Sequence, residues 1–274
     1  MMTTQKQVPI AFSGSIPPNY DNFLGPLFFE PFALDLAERI HHLQPQSLLE
    51  VAAGTGRVTK HLPGVLPNGA LIVATDVNPA MVSFAKDRLA EHTSINWEVV
   101  DAVSLPYQNR QFDCVVSQFG VMFYSDRRKA YAEAFRVLRP GGVFLFNAWD
   151  NLSRNPAARL TDETLTHFFP TDTPAFYKVP FSYHDANEIR KDLTAVGFEI
   201  ASMQVLKFTG YADTAENAAT GLLEGTPVHT AIIERDAALL PIMKKALAED
   251  LAALFGEKDL QVPLQARVVM AVKK

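Results

Sequence analysis

The chain has 274 residues, 48% hydrophobic and 20% charged, with a formal net charge of −5. That length supports one large domain burying about three-quarters of its unfolded surface, and no apolar run approaches the ~20 residues a membrane helix requires. Lys and Arg are scattered without forming a stripe, which excludes a nucleic-acid backbone as partner; one cysteine, Cys114, can make neither an internal disulfide nor a thiolate metal site.

In chain order, the opening MMTTQKQVPIAFSGS lacks the basic-then-apolar order of a secretory signal. It is expected to stay on the protein, with the cytoplasm as the default location. LFFEPFALDLAERIHHL then spaces Phe28, Phe32, Leu36 and Ile40 four apart, the single apolar stripe of a lid or flank helix over about 18–43. Strands are expected at 47–52, 70–76, 95–100, 112–119 and 142–149, with helices near 57–64, 79–91 and 127–138 between them. This alternation argues for an α/β fold with a parallel sheet covered on both faces. Four of the strands are nearly continuous apolar runs, as doubly covered strands should be, and Cys114 is a small buried hydrophobe in one of them.

A Pro- and aromatic-rich stretch, about 151–182, interrupts the alternation and suggests a cap over the sheet edge. YHDANEIRKDLTAVGF restores a helix, with Asp185 as its N-cap and Gly197 as its terminator. The strand EIASMQVLKFTG comes after it. A helical block over about 213–257 is next, where Thr226 and Pro227 suit an N-cap and first position, Pro241 should break or kink the helix beyond it, and Gly256 closes the block. LQARVVMAVKK ends the chain as a last strand. With no repeat or linker in view, residues 1–274 are read as one domain, its core at about 44–150 and 183–274 and the helical block an insertion.

The chemistry is concentrated in SLLEVAAGTGRVTKHL, where a strand passes through Glu50, Ala52, Ala53, Gly54, Thr55 and Gly56 into a helix. Gly54 and Gly56 let the backbone approach a ligand without a Cβ between them. A dinucleotide loop, G-x-G-x-x-G, needs a third glycine for helix packing, and Thr59 stands there. A nicotinamide-dependent oxidoreductase is thereby disfavoured, though Asp76, ending the second strand, suits the ribose hydroxyls of either cofactor class. Val77 and Met81 lie beside it and could flank a flat base.

EVAAGTG resembles the cofactor loop of the class I S-adenosylmethionine-dependent methyltransferases, with Ala52 where that family usually has glycine. VVDAVSLPYQNRQFDCVVSQF is similar to the family's next element through Asp101, Ala102, Leu105, Pro106, Phe112 and Asp113. RVLRPGG, Arg136 to Gly142, matches its turn before the fifth strand. YDNFLGPLFFEPFA with SQFGVMFY looks like the type 11 group, whose members mostly act on small molecules. The resemblance implies a Rossmann-like sheet of seven strands, the last antiparallel, and S-adenosyl-L-methionine as cofactor, released as S-adenosyl-L-homocysteine. It also implies that Gln118 and Phe119 hold the methionine portion and that Tyr20 and Phe28 close over the sulfonium, where aromatic faces favour a cation. A carboxylate at Glu50 suits that positive end.

Such a cofactor carries its own electrophile, so the protein's task is alignment and exclusion of water. His184 and Tyr124 are candidate bases only because they fall near expected strand ends. His41, His42, His61, His92, His167 and His229 fall on helix faces or in loops, and no metal spacing is present. Phe168, Phe169, Phe176, Tyr177 and Phe181 in the cap suggest a dry pocket for a small hydrophobic or aromatic acceptor. The alternative is a protein that binds the cofactor without catalysing transfer.

Overall fold

The computed structural model describes residues 14–274, so nearly all of the opening segment MMTTQKQVPIAFSGS lies outside the described residues. A short helix α1, Ile16–Asn19, runs directly into a π-helical segment, Tyr20–Phe29, and then into α2, Glu30–Leu43. Pro26 accounts for the wide turn: in an α-helix its ring would press on the carbonyl four residues back, and it has no N–H to offer. Phe28, Phe32, Leu36 and Ile40 are all buried, so the four-residue stripe holds across the change of helix type.

Beyond α2 come seven strands, β1 Ser47–Val51, β2 Leu71–Asp76, β3 Ile95–Val99, β4 Phe112–Gln118, β5 Leu138–Trp149, β6 Phe198–Thr214 and β7 Lys258–Lys273. They form one sheet in the order β3-β2-β1-β4-β5-β7-β6. The first five are parallel neighbours, while β7 lies antiparallel between β5 and β6. The strand order reverses between β1 and β4, which opens a crevice at their carboxyl ends.

Alternate residues of the central strands enter two separate cores. Leu49, Val73 and Val115 join Phe32 on one side, and Leu48, Ile72 and Cys114 join Leu36 and Ile40 on the other. Cys114 is buried there and its thiol is pushed up to about 12 by that burial, first, and by Asp113, as befits a packing residue.

Between the strands lie α3 Leu62–Val65, α4 Pro79–Arg88 and α5 Arg127–Val137. The expected helix at 57–64 is only a 3-10 turn, Thr59–His61, leading into α3, because Pro63 and Gly64 shorten it. The cap contains α6, Pro156–Phe168, and beyond it stands α7, Ala186–Ala195, whose N-cap Asp185 accepts from Asn187 N at 2.7 Å. Gly197, at φ +103°, ends that stretch as expected.

The insertion is three helices, α8 Ala215–Glu224, α9 Val228–Asp236 and α10 Leu239–Phe255. Two expectations there are corrected. Thr226 caps nothing; its hydroxyl donates back to Leu222 O at 3.1 Å. Pro241 does not break or kink a helix but sits in the first turn of α10, where an absent N–H costs no intrahelical bond. The residues between α9 and α10 make the break instead. Among the described residues no helix is long and apolar enough to cross a membrane.

Candidate active site

The loop after β1 turns on three left-handed residues, Ala52 at φ +58°, Gly54 at +57° and Gly56 at +80°. For Ala52 this conformation is strained, and its methyl is accommodated by Gly120 after β4, where an added Cβ would approach it to 2.5 Å. A Cβ at Gly54 would meet nothing within 4 Å, so open space lies in front of the loop. Thr55 is buried and its hydroxyl has no partner among the described residues.

Glu50 is not presented at the loop. It is 1% exposed, and its Oε2 accepts from Thr59 Oγ1 at 2.6 Å. Burial pushes its carboxyl up to about 8, with Asp76 adding to the rise and Thr59 opposing it. Thr59, notable in the sequence only for not being glycine, is therefore the partner that lets an acid be buried beneath the loop.

Asp76 ends β2 alongside. Its Oδ2 accepts from Gly54 N at 2.9 Å and its Oδ1 from Asn78 N at 2.8 Å, which ties the loop to the neighbouring strand. A carboxylate has about four lone-pair sites; backbone N–H groups of Gly54, Asn78 and Val77 occupy three, which leaves one for a hydroxyl group. Burial raises its pKa, and backbone N–H groups of Asn78, Gly54 and Val77 oppose that rise. Val77 is 63% exposed beside Asp76, whereas Met81 is buried. Asp101 is exposed after β3, with Oδ1 accepting from Val103 N at 3.1 Å, and Ala102 is buried.

At the end of β4, Gln118 Nε2 donates to Phe29 O at 2.7 Å. Phe119 takes a left-handed conformation, φ +49°, held by its N–H donating to Asn147 Oδ1 at 2.8 Å. Its ring stacks on Trp149 with centroids 3.8 Å apart and planes 4° from parallel. Asn147 is fully buried, and its Nδ2 has no partner among the described residues. The alternation of strands concealed Asn147 and Trp149, which read simply as the end of an apolar run.

This stacked pair floors an aromatic cavity of about 50 Å³. Tyr20, Leu24, Phe28 and Phe29 come to it from the π-helical segment, Phe123 from the turn after β4, and Phe176, Tyr177, Pro180 and Phe181 from the cap. Thr226 closes it from the insertion. Among the described residues no carboxylate, imidazole or amine lines it. Tyr20 stacks on Phe29 at 4.8 Å, and burial, with Asp76 nearby, raises its phenol. Phe28 meets Trp149 edge-on at 5.5 Å.

The two candidate bases lie off this cavity. His184 Nδ1 is 2.9 Å from Phe181 O and its Nε2 3.3 Å from Asn151 Nδ2, on the outer side of the cap turn. Tyr124 and Ser117 share a hydrogen bond of 2.9 Å, and burial raises the tyrosine's pKa, so it is a poor proton acceptor. Of the cap aromatics, Phe168 and Phe169 pack against the core without lining the cavity. Among the described residues there is no group of His, Cys, Asp and Glu able to hold a metal ion.

Residues 49–146 match the family model described as a methyltransferase domain. A ubiquinone/menaquinone biosynthesis C-methyltransferase, UbiE, of Proteus mirabilis is 28% identical over 46% of this chain and 51% of its own length. A malonyl-[acyl-carrier protein] O-methyltransferase of Hahella chejuensis is 40% identical over 36% of this chain and 34% of its own. The chain thus spans about half or less of the length of these relatives. Among solved structures, the Haemonchus contortus phosphoethanolamine N-methyltransferase 2, in complex with S-adenosyl-L-methionine, has a TM-score of 0.57 at 17% identity. That likeness covers 94% of this chain and 56% of the other. Residues 49–146 are thus similar to a methyltransferase domain, and the seven-stranded sheet that carries them has the fold of solved methyltransferase structures.

Proposed function

We propose that the protein transfers a methyl group from S-adenosyl-L-methionine to a small apolar or aromatic acceptor, S-adenosyl-L-homocysteine leaving as co-product. The observation carrying this reading is the aromatic cavity beside the glycine loop: Phe119 lines it, and the next residue, Gly120, packs against Ala52 of the loop. The residues present fit the cofactor. Asp76 keeps a lone-pair site for a hydroxyl, Val77 offers an exposed apolar face to a base, and the space before Gly54 admits backbone-close binding. Asp101 is the acid available to an exocyclic amino group, and Gln118 and Phe119 are assigned to the amino-acid portion by the family resemblance.

The cofactor supplies an electrophilic methyl on a cationic sulfur. The aromatic walls exclude water and present ring faces to a cation, an attraction of roughly 0.5–2 kcal/mol at each well-placed ring. Phe119, pinned by Asn147 and stacked on Trp149, is rigid and so able to orient an acceptor. Because the walls hold no ordinary proton acceptor, the acceptor's own ionisation, and not that of a side chain, is expected to set the pH profile of kcat/KM.

Isothermal titration with S-adenosyl-L-methionine and with NADH, and then release of S-adenosyl-L-homocysteine across a panel of apolar aromatic acceptors, tests the reading. Cofactor binding and turnover are expected. Tight NADH binding with no S-adenosyl-L-methionine binding would overturn it, and firm cofactor binding without turnover on any acceptor would favour the non-catalytic alternative.

A further inference from the structure

The wall of the cavity contributed by Tyr20–Phe29 has a second face that meets the glycine loop in a cluster of charges. Asp21 is buried, 4% exposed, and two arginines converge on it. Arg57, the residue after Gly56, places its Nε 3.1 Å from Asp21 Oδ1, and its Nη2 donates to the Asp21 carbonyl oxygen. Arg88, at the end of α4, has its Nε 3.5 Å from Asp21 Oδ2 while its Nη2 donates to Thr55 O at 3.0 Å and Gly56 O at 3.3 Å.

Both cations are therefore anchored to the loop, one by sequence and one by hydrogen bonds. Arg57 also spans the π-helical segment: its Nη1 lies 3.1 Å from Glu30 Oε2 at the far end. It crosses over Gly25, where a Cβ would come within 1.9 Å of Nη2. Spacings of four and five residues put Asp21, Gly25 and Glu30 on one face of the i→i+5 helix and Tyr20, Leu24 and Phe28 on the face turned to the cavity.

We infer that Arg57 and Arg88 are positioning residues: by gripping Asp21 they make the acceptor wall an extension of the cofactor loop, so that filling the loop fixes the wall. A buried carboxylate between two arginines is held from both sides; removing one leaves it neutralised by the other but no longer clamped. Movement of the loop backbone at Thr55 or Gly56 is carried to Asp21, and from Asp21 to Tyr20 one residue away. The inference rests on the reading of residues 52–56 as a cofactor loop.

Hydrogen exchange on the full chain, with and without S-adenosyl-L-homocysteine, tests it on wild type, Arg57→Ala, Arg57→Lys and Gly25→Ala. In wild type the ligand is expected to slow exchange at amides 20–29 as well as 52–56, by tenfold or more at both. In Arg57→Ala the ligand still slows the loop, but the effect on 20–29 falls below threefold; Arg57→Lys restores part of it. Gly25→Ala keeps every charge and favours helix, yet it displaces the guanidinium and is expected to reproduce Arg57→Ala, with no further loss in the double variant. Equal ligand protection of 20–29 in all four proteins overturns the inference. If wild type binds no S-adenosyl-L-homocysteine the functional reading fails instead. The ligand-free comparison then decides the grip, with exchange at 20–29 at least tenfold faster in Arg57→Ala and Gly25→Ala if it exists and unchanged if it does not.

Discussion

Glu50 beneath the loop and Ala52 within it carry costs that the surrounding structure offsets, and both costs are measurable. Glu50 has a folded pKa raised to about 8, above the ordinary 4.5, chiefly by burial. By linkage, its protonated form is favoured in the fold, so stability is fully present below pH 4.5 and declines as the pH rises through about 8. Glu50→Gln keeps an acceptor for the Thr59 hydroxyl and removes the titration. It is expected to match wild type near pH 5 and to be more stable by about 2–4 kcal/mol at pH 8.5 in denaturant titrations; a constant difference across that range would refute the account. Ala52 is paired in space with Gly120, and Gly120→Ala sets two methyls on a collision course at 2.5 Å. A loss of ~1–3 kcal/mol is expected from the overpacking, and Ala52→Gly in the same protein should return part of it, the residual 2.7 Å approach to Ser117 Oγ remaining. Strict additivity of the two changes would show that they do not meet. At this scale the sequence was legible where a motif fixes a backbone shape, as at Gly54, Gly56 and Asp76. It was illegible where a partner comes from elsewhere in the chain. Nothing in the spacing pairs Glu50 with Thr59, Phe119 with Asn147, or Asp21 with an arginine thirty-six residues on.

The helical elements around the site are bound to the sheet unequally, and Tyr20–Phe29 depends most on charge. Burial alone would raise the Glu30 carboxyl, but hydrogen bonds from His61, Lys60 and Arg57 outweigh it and hold the pKa at about 2. A folded pKa below the unfolded 4.5 contributes stability above pH 4.5 that is lost as the pH falls through about 2. Acid should therefore loosen this segment within that window while the parallel strands persist. Trp149, packed against Phe28 and Phe29, is the reporter: acrylamide quenching of its emission in a Trp97→Phe background is expected to rise between pH 4.5 and 2. Glu30→Gln should show the raised quenching already at pH 7. Quenching that tracks the loss of far-UV circular dichroism in both proteins would mean global unfolding instead. Elements with strong local signals were read correctly from the sequence, among them the apolar strands β1, β2, β4 and β5 and the helix capped by Asp185. The prolines misled. Pro26 widened a helix that periodicity alone made regular, and Pro241 sits in the first turn of a helix it was expected to break or kink, because its effect depends on its place in a turn that composition does not reveal.

Across the whole molecule, the parallel half of the sheet supplies the glycine loop, while the lining of the cavity is assembled from five separated stretches of chain. That division explains why the fold was readable and the pocket was not. A parallel sheet imprints its own apolar runs on the sequence, whereas a cavity wall imprints only aromatics that look like core; Phe176, Tyr177 and Phe181 turned out to line it and Phe168 and Phe169 did not. At about 50 Å³ the cavity has room for only a few water-sized groups, well below the ~300–1,000 Å³ of ordinary small-molecule sites, so an acceptor must displace part of its wall. On the proposed reading the cofactor, in contrast, would meet the carboxyl ends of β1 and β2, where its binding free energy would add to the stability of the whole sheet. Saturation at a hundred times Kd contributes about 2.7 kcal/mol, which for a domain of this size corresponds to a rise in Tm of roughly 5–10 °C. S-adenosyl-L-homocysteine is expected to give that rise in a thermal melt and NADH none, because Thr59 stands where a dinucleotide fold needs its third glycine and the buried Glu50 it satisfies lies directly beneath the loop. An Asp76→Ala variant, which loses the carboxylate but keeps the sheet, should lose most of the shift while melting as one transition. An undiminished shift in Asp76→Ala would show that the ligand enters somewhere other than the carboxyl ends of β1 and β2, and an equal shift from NADH would overturn the choice of cofactor.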